Sequence, residues 1–164
     1  MSEQDSSEQD GRADFDFFMG RWKVHHRRLR ERLKGANDWE EFEGTTVAYK
    51  VLGGLGNFDE GPMERESGLV RGMTVRLFDP TTRQWSLYWA DSMHGWNWHL
   101  PQIGEFKDGR GEFYAHEPFD GKHILSRFIW SGITTTSCRW AQAFSADGGR
   151  TWETNWIMDF VRDE

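Results

Sequence analysis

Phe15-Asp16-Phe17-Phe18-Met19-Gly20-Arg21-Trp22 sets three phenylalanines ahead of a Gly-x-Trp, and from Trp22 onward hydrophobic residues recur with period two. Phe15, Phe17 and Phe18 suit one short helical turn that buries aromatics. Gly20-x-Trp22 then leads into a strand. Period two marks strands whose alternate side chains face a core. The pattern predicts strands at 21–33, 39–51, 69–78, 84–92, 102–107, 111–117, 122–132, 135–145 and 151–162. No stretch keeps a helical period over about 11 residues.

Turn chemistry separates these runs. Asp79-Pro80-Thr81-Thr82 reads as a type I turn, Asp108-Gly109 and Asp120-Gly121 carry the Asp-Gly hairpin signal, and Asp147-Gly148-Gly149 closes the final hairpin. Gly53-Gly54-Leu55-Gly56 leads into no helix and reads as a bend, not a phosphate cradle. Short antiparallel strands joined in sequence, without helices to cover an open sheet, favour closure, because closure removes exposed edges. The expected fold is all-β, an antiparallel up-and-down β-barrel of nine to ten strands with a short N-terminal helical turn. A sandwich is the alternative.

The 164 residues are one domain's worth, and ten Trp and twelve Phe supply large buried areas to a chain only 37% hydrophobic. Residues 1–13 are polar, acidic and aperiodic, and read as a disordered tail before a barrel domain at 14–164. The net charge is −7, of which Glu3, Asp5, Glu8 and Asp10 against Arg12 contribute −3. No basic face suggests nucleic acid. No apolar run approaches the ~20 residues of a membrane span, and no leader pattern follows Met1, so a cytoplasmic protein with no membrane partner is expected. Cys138 is the single cysteine and reads as a small core residue.

The faces of the hairpins suggest a cavity. One pairing of 21–33 with 39–51 aligns Trp22, Val24, His26, Arg28, Arg30 and Arg32 with Trp39, Glu41, Glu43, Thr45, Val47 and Tyr49, an apolar end rising to opposed charges. Similarly, Met73, Val75 and Leu77 can face Trp85, Leu87 and Trp89, with Arg71 across from Asp91. In the last hairpin Cys138, Trp140 and Phe144 match Trp152, Trp156, Met158 and Phe160, with Arg139, Asn155 and Asp159 opposite. An apolar body with a few convergent polar groups is what a small-molecule pocket requires. The ligand-binding set is therefore Trp22, Arg28, Arg71, Trp85, Trp89, Asp91, Trp140, Asn155 and Trp156. His94, Trp96, Trp98 and His99 join it as a cover at the rim. His94 and His99 lack a third ligand and a zinc spacing, so no metal and no cofactor are expected. His26 beside Glu43 is a candidate catalytic acid–base pair. Apolar residues on both faces, such as Phe128 and Trp130 against Leu125 and Ile129, point to a homodimer.

Phe15-Asp16-Phe17 with Gly20-Arg21-Trp22 resembles the start of bacterial lipocalin-like proteins of the calycin group. Phe78-Asp79-Pro80 ahead of Trp85, and Trp152-Glu153-Thr154-Asn155-Trp156, extend the resemblance over residues 14–162. It implies a barrel with a cavity, and a late arginine, Arg162 or else Arg139, packed on the Trp22 ring. A signal peptide and disulfide of secreted lipocalins are missing, as is the proximal His of haem-binding barrels. The expected function is binding of a small, partly hydrophobic molecule that can be anionic. The alternatives are an isomerase, hydratase or cyclase using His26 and Glu43, and a dimeric interaction module with a filled barrel.

Overall fold

Asp-Gly pairs make two of the tight corners. Asp108 and Gly109 have φ of 52° and 74°, and Asp120 and Gly121 have 51° and 76°. Positive φ at both central residues is the type I′ geometry whose twist matches that of paired strands. At the Asp79 corner the carboxylate accepts from the Thr81 amide at 2.8 Å, and the Asp79 carbonyl accepts from Arg83.

The computed structural model describes residues 10–96 and 100–163. A 3₁₀ turn at Asp16–Phe18 precedes β1 (Gly20–Leu29) and β2 (Trp39–Val51). A second, at Leu52–Gly54, leads into β3 (Gly56–Arg65) and β4 (Gly68–Asp79), followed by β5 (Gln84–Asp91) and the two-residue β6 (Gly95–Trp96). Then come β7 (Gln102–Lys107), β8 (Arg110–Phe119), β9 (Lys122–Ser131), β10 (Ser137–Ser145) and β11 (Glu153–Arg162). Neighbouring strands pair antiparallel in the order β4-β3-β2-β1-β11-β10-β9-β8-β7-β5, with β6 beyond β5, and β4 also pairs β5, which closes the ring. The fold is the expected lipocalin-like barrel, not a sandwich.

Two features depart from the sequence reading. Strand β3 runs where period two assigns no strand. The residues 10–13, expected as tail, form a turn in which Arg12 is 2.8 Å from Asp10 and the Gly11 carbonyl accepts from Trp85 Nε1 at 3.2 Å. Residues 1–9 lie outside the described residues.

The 3₁₀ turn seals one end. Phe15 and Phe18 are buried, with Phe15 set edge-on to Trp85 at 5.0 Å and Phe18 against Trp130 at 4.7 Å and Phe160 at 5.0 Å. Trp22 lies beneath, stacked on Phe18 at 5.6 Å, and its Nε1 donates to the Phe18 carbonyl at 2.7 Å. The Arg162 guanidinium covers the other side of that indole, 3.9 Å from the ring centre, and donates to the Phe17 carbonyl at 2.9 Å and to the Met19 carbonyl. This is the packing the resemblance implied for Arg162. Arg139 instead pairs with Asp159 on the outer face. Cys138 is buried in the same core, and desolvation pushes its thiol up to about 12, so it packs as an inert group.

β2 and β3 approach closely at Gly61, where an added Cβ would meet the Thr45 carbonyl. Gly61→Ala should destabilise the barrel by about 1–3 kcal/mol, the range for overpacking a filled site. Urea denaturation checks it, since the substitution adds only a methyl group.

Candidate functional site

The register decides which side chains enter the barrel. β1 pairs β2 with Trp22 opposite Thr46, His26 opposite Phe42 and Arg28 opposite Glu40. The inward face of β2 is therefore the even one, and Glu43 lies outside with His25, 2.6 Å from its Nδ1. This corrects the expected pairing of His26 with Glu43. A slip of one residue moves every side chain to the other face.

β4 shows the same correction. Phe78 is opposite Trp85, Arg76 opposite Leu87 and Thr74 opposite Trp89. The inward residues are thus Thr74, Arg76 and Phe78, while Met73, Val75 and Leu77 face outward. Arg71 also points outward and is exposed, and Asp91 is opposite Gly72 rather than Arg71. In the last hairpin Trp140 and Trp156 face inward as expected. Asn155 is the extra residue of a bulge, since Gln142 pairs Trp156 and Ala143 pairs Thr154. It is fully buried, accepts from Gln142 Nε2 at 2.8 Å, and lies behind the cavity wall. Trp152 stands outside, with Arg127 over its ring at 4.3 Å.

What remains inside is a cavity of about 380 Å³, within the range of small-molecule pockets. Trp89, Trp140 and Trp156 line its body with Phe128, Met158 and Leu87. Trp156 sets its ring edge-on to Trp140 at 5.5 Å and to Trp89 at 5.9 Å. Trp22 and Trp85, expected in the lining, belong to the sealed floor beneath it. Trp96 pairs with Ala90 next to the mouth but does not line the cavity. Trp98 and His99 lie outside the described residues.

The polar groups fall into layers. Deepest is Arg76, 3% exposed, ion-paired with Asp59 and donating to Asn57 Oδ1 at 2.9 Å. Its guanidinium also sits 5.1 Å from the Phe15 ring and 5.2 Å from that of Phe18. On the opposite wall Gln102 donates to Ser126 Oγ, which donates to Glu117 at 2.9 Å. Burial pushes the Glu117 carboxyl up. Halfway up stands His26, stacked on Phe42 at 4.4 Å, its Nδ1 3.1 Å from Trp156 Nε1. Burial, with the nearby charges of His25 and Arg65, pushes it down to about 3, so the imidazole is neutral.

Three arginines approach the mouth. Arg65 is held by Glu40 at 2.7 Å. Arg28 lies over the Trp156 ring at 5.3 Å, and its Nε is buried without a partner. Arg32 lies over Phe119 at 4.9 Å and Phe144 at 5.2 Å. Among the described residues no carboxylate is in salt-bridge range of Arg28 or Arg32. Burial and the neighbouring Arg32 and Arg65 push Arg28 down to about 10, still protonated at neutral pH. Asp91 is engaged by Trp89 Nε1 at 3.1 Å, by the His94 amide at 2.7 Å and by the His94 ring at 3.1 Å, which fixes the rim loop.

Sequence reading thus found Arg28, Trp89, Asp91, His94, Trp140 and Trp156 on the cavity wall and missed Arg76, Asp59, Arg65 and Glu117. The signal for Arg76 was its shared parity with Phe78, one turn of the pleat from the floor.

No protein-family model matches the chain, and no curated protein matches it. Among solved structures, the S-type phycobiliprotein lyase CPES of Guillardia theta aligns with 100% of this chain and 99% of its own, at 12% identity and a TM-score of 0.59. A de novo designed fluorescence-activating β-barrel aligns with 90% of this chain and 95% of its own, at 13% identity and a looser TM-score of 0.45. At such identities the likeness speaks to architecture, and what the lyase comparison carries is the fold: a closed antiparallel β-barrel.

Proposed function

We propose that the protein binds a small, partly aromatic anion inside the barrel. The observation that carries this reading is Arg28. Its guanidinium is inward, half-buried and stacked on Trp156, yet among the described residues it has no carboxylate in salt-bridge range. A half-buried cation with no direct ion pair is incompletely matched, because Glu40 and Asp91 act on it only from beyond salt-bridge distance. An anionic ligand headgroup completes that match, with Arg32 beside it. The aromatic walls of Trp89, Trp140 and Trp156 suit a flat apolar body, which gains dispersion and edge-to-face contacts there.

Native mass spectrometry of the purified protein, with organic extraction of what co-purifies, tests this directly. Calorimetric titration with para-benzylbenzoate, a two-ring aromatic carboxylate, gives a second test. Arg28→Met should weaken its binding by about tenfold to a hundredfold, the effect of losing a charge-assisted hydrogen bond. Arg30→Met should not, because Arg30 is an outer residue paired with Asp38 and Glu66. Equal affinity in wild type and Arg28→Met would remove the proposal.

A further inference from the structure

One hydrogen bond on the cavity wall fixes the place of an imidazole proton. The indole Nε1 of Trp156 can only donate. Its partner at 3.1 Å, His26 Nδ1, must therefore accept. That places the imidazole proton on Nε2. The ring cannot easily turn, because it is stacked on Phe42 with an interplanar angle of 13°, and Arg65 lies 5.5 Å over that same phenylalanine. Among the described residues nothing accepts from Nε2–H, although His26 is only 2% exposed and lines the cavity. Gly44 lets the imidazole settle against the β2 wall, since a Cβ there would stand 3.1 Å from Nε2 and 2.7 Å from the Pro62 carbonyl oxygen.

A donor on a cavity wall with no protein acceptor keeps its hydrogen bond for what enters the cavity, and leaving it unmatched in a dry complex costs about 1–3 kcal/mol. Such a group is retained where something arrives to accept from it. Resting on the anion-binding reading above, we propose that His26 is the specificity-determining donor of this cavity, and that the ligand class is an aromatic keto-acid. The carboxylate meets Arg28 and a carbonyl oxygen accepts from His26 Nε2–H. Arg28 and His26 are alternate residues of β1 on one face. That sets their backbone positions roughly 6.5–7 Å apart, close to the separation of a carboxylate and a ketone across a para-substituted ring. The neutral state of His26 keeps the site from adding a second cation there, so the inner group it selects is a neutral acceptor rather than a second acid.

The test compares para-benzoylbenzoate with para-benzylbenzoate, which differ only by a carbonyl in place of a methylene. Titration calorimetry should show the ketone binding roughly tenfold tighter to the wild type, the worth of one hydrogen bond. His26→Phe keeps the ring stack and removes the donor. It should bind both probes alike, at about the affinity of the wild type for the methylene compound. His26→Gln, which can still donate, should recover part of the preference. Independently, nitrogen NMR of the free wild-type protein should show His26 as the Nε2–H tautomer at neutral pH, and Trp156→Phe should release it to a mixture.

The Nδ1–H tautomer in the wild type would overturn the proposal without any ligand. Equal binding of the two probes, both weakened by Arg28→Met, would overturn it while leaving the anion reading standing. Failure of both probes to bind would overturn both.

Discussion

Asp59→Asn should destabilise the barrel by about 3–5 kcal/mol, the effect of leaving one member of a buried ion pair without its partner. The reason lies in Arg76. Its guanidinium is enclosed among Phe15, Phe18 and Trp130 and cannot give up its proton. Asparagine still accepts a hydrogen bond there but supplies no charge. The partner substitution behaves differently. In Arg76→Met the orphan is a carboxyl, and a carboxyl can neutralise itself. Burial already pushes Asp59 up, against the downward pull of Arg76. Removing that pull raises its folded pKa further above the unfolded value of ~3.9. A carboxyl whose folded pKa lies above the unfolded one binds more protons in the native state, so stability falls as pH rises between the two. The gap between Arg76→Met and the double variant Arg76→Met/Asp59→Asn should thus be near zero at about pH 4 and open toward about pH 8, with the single variant the weaker. Urea midpoints across that range decide it. A constant gap would mean that Asp59 is wet or already protonated.

Phe18→Ala should cost about 3–5 kcal/mol, the range for truncating a buried aromatic. Phe18 is 0% exposed and is the only side chain of the 3₁₀ turn that both builds the floor and lines the cavity. Truncation removes the stack on Trp22 and the edge contacts to Trp130 and Phe160 together. The void would merge with the cavity, so water can enter beside Arg76. Phe18→Leu should cost less, because it refills part of the volume. Thermal or urea unfolding gives both values. A change below about 1 kcal/mol for Phe18→Ala would show that the floor collapses freely onto the gap.

The architecture was legible in the sequence because period two and the Asp-Gly turns are local signals, and both kinds of signal point the same way. The site was legible only in part, and the reason is strand β3. Gly56-Asn57-Phe58-Asp59-Glu60-Gly61-Pro62 has the composition of a turn, since Asn, Asp, Gly and Pro are all depleted in strands. Its strand character comes from its neighbours: β2 on one side and β4 on the other supply the pairing that propensity does not. With β3 unread, Asn57 and Asp59 had no place on the wall, and nothing indicated that Arg76 had buried partners. The apolar parity of Met73, Val75 and Leu77 then looked like the inner face. In a barrel that keeps polar groups inside, apolarity is a poor guide to which face is inner. The same fault slipped the first hairpin, where His26 and Glu43 sit on opposite sides of one wall. Arg28, Trp140 and Trp156 were found because their strands carry aromatics on the inner face alone.

The clasp of Arg162 on Trp22 also bears on the rate at which the molecule forms. Its hydrogen bonds to the carbonyls of Phe17 and Met19 join residues 145 and 143 positions apart, and β1 and β11 pair along that seam. Every other neighbouring pair but β5 and β7 can form as a local hairpin, whereas this one must close a loop of nearly the whole chain. Closing so long a loop costs entropy before the pairing rewards it, which slows the last step of assembly relative to the hairpins. Until the seam closes, the tryptophans of the inner wall face water. The arginine that holds the floor in the finished barrel is thus also the group whose arrival ends the interval in which a partly assembled chain is open to aggregation.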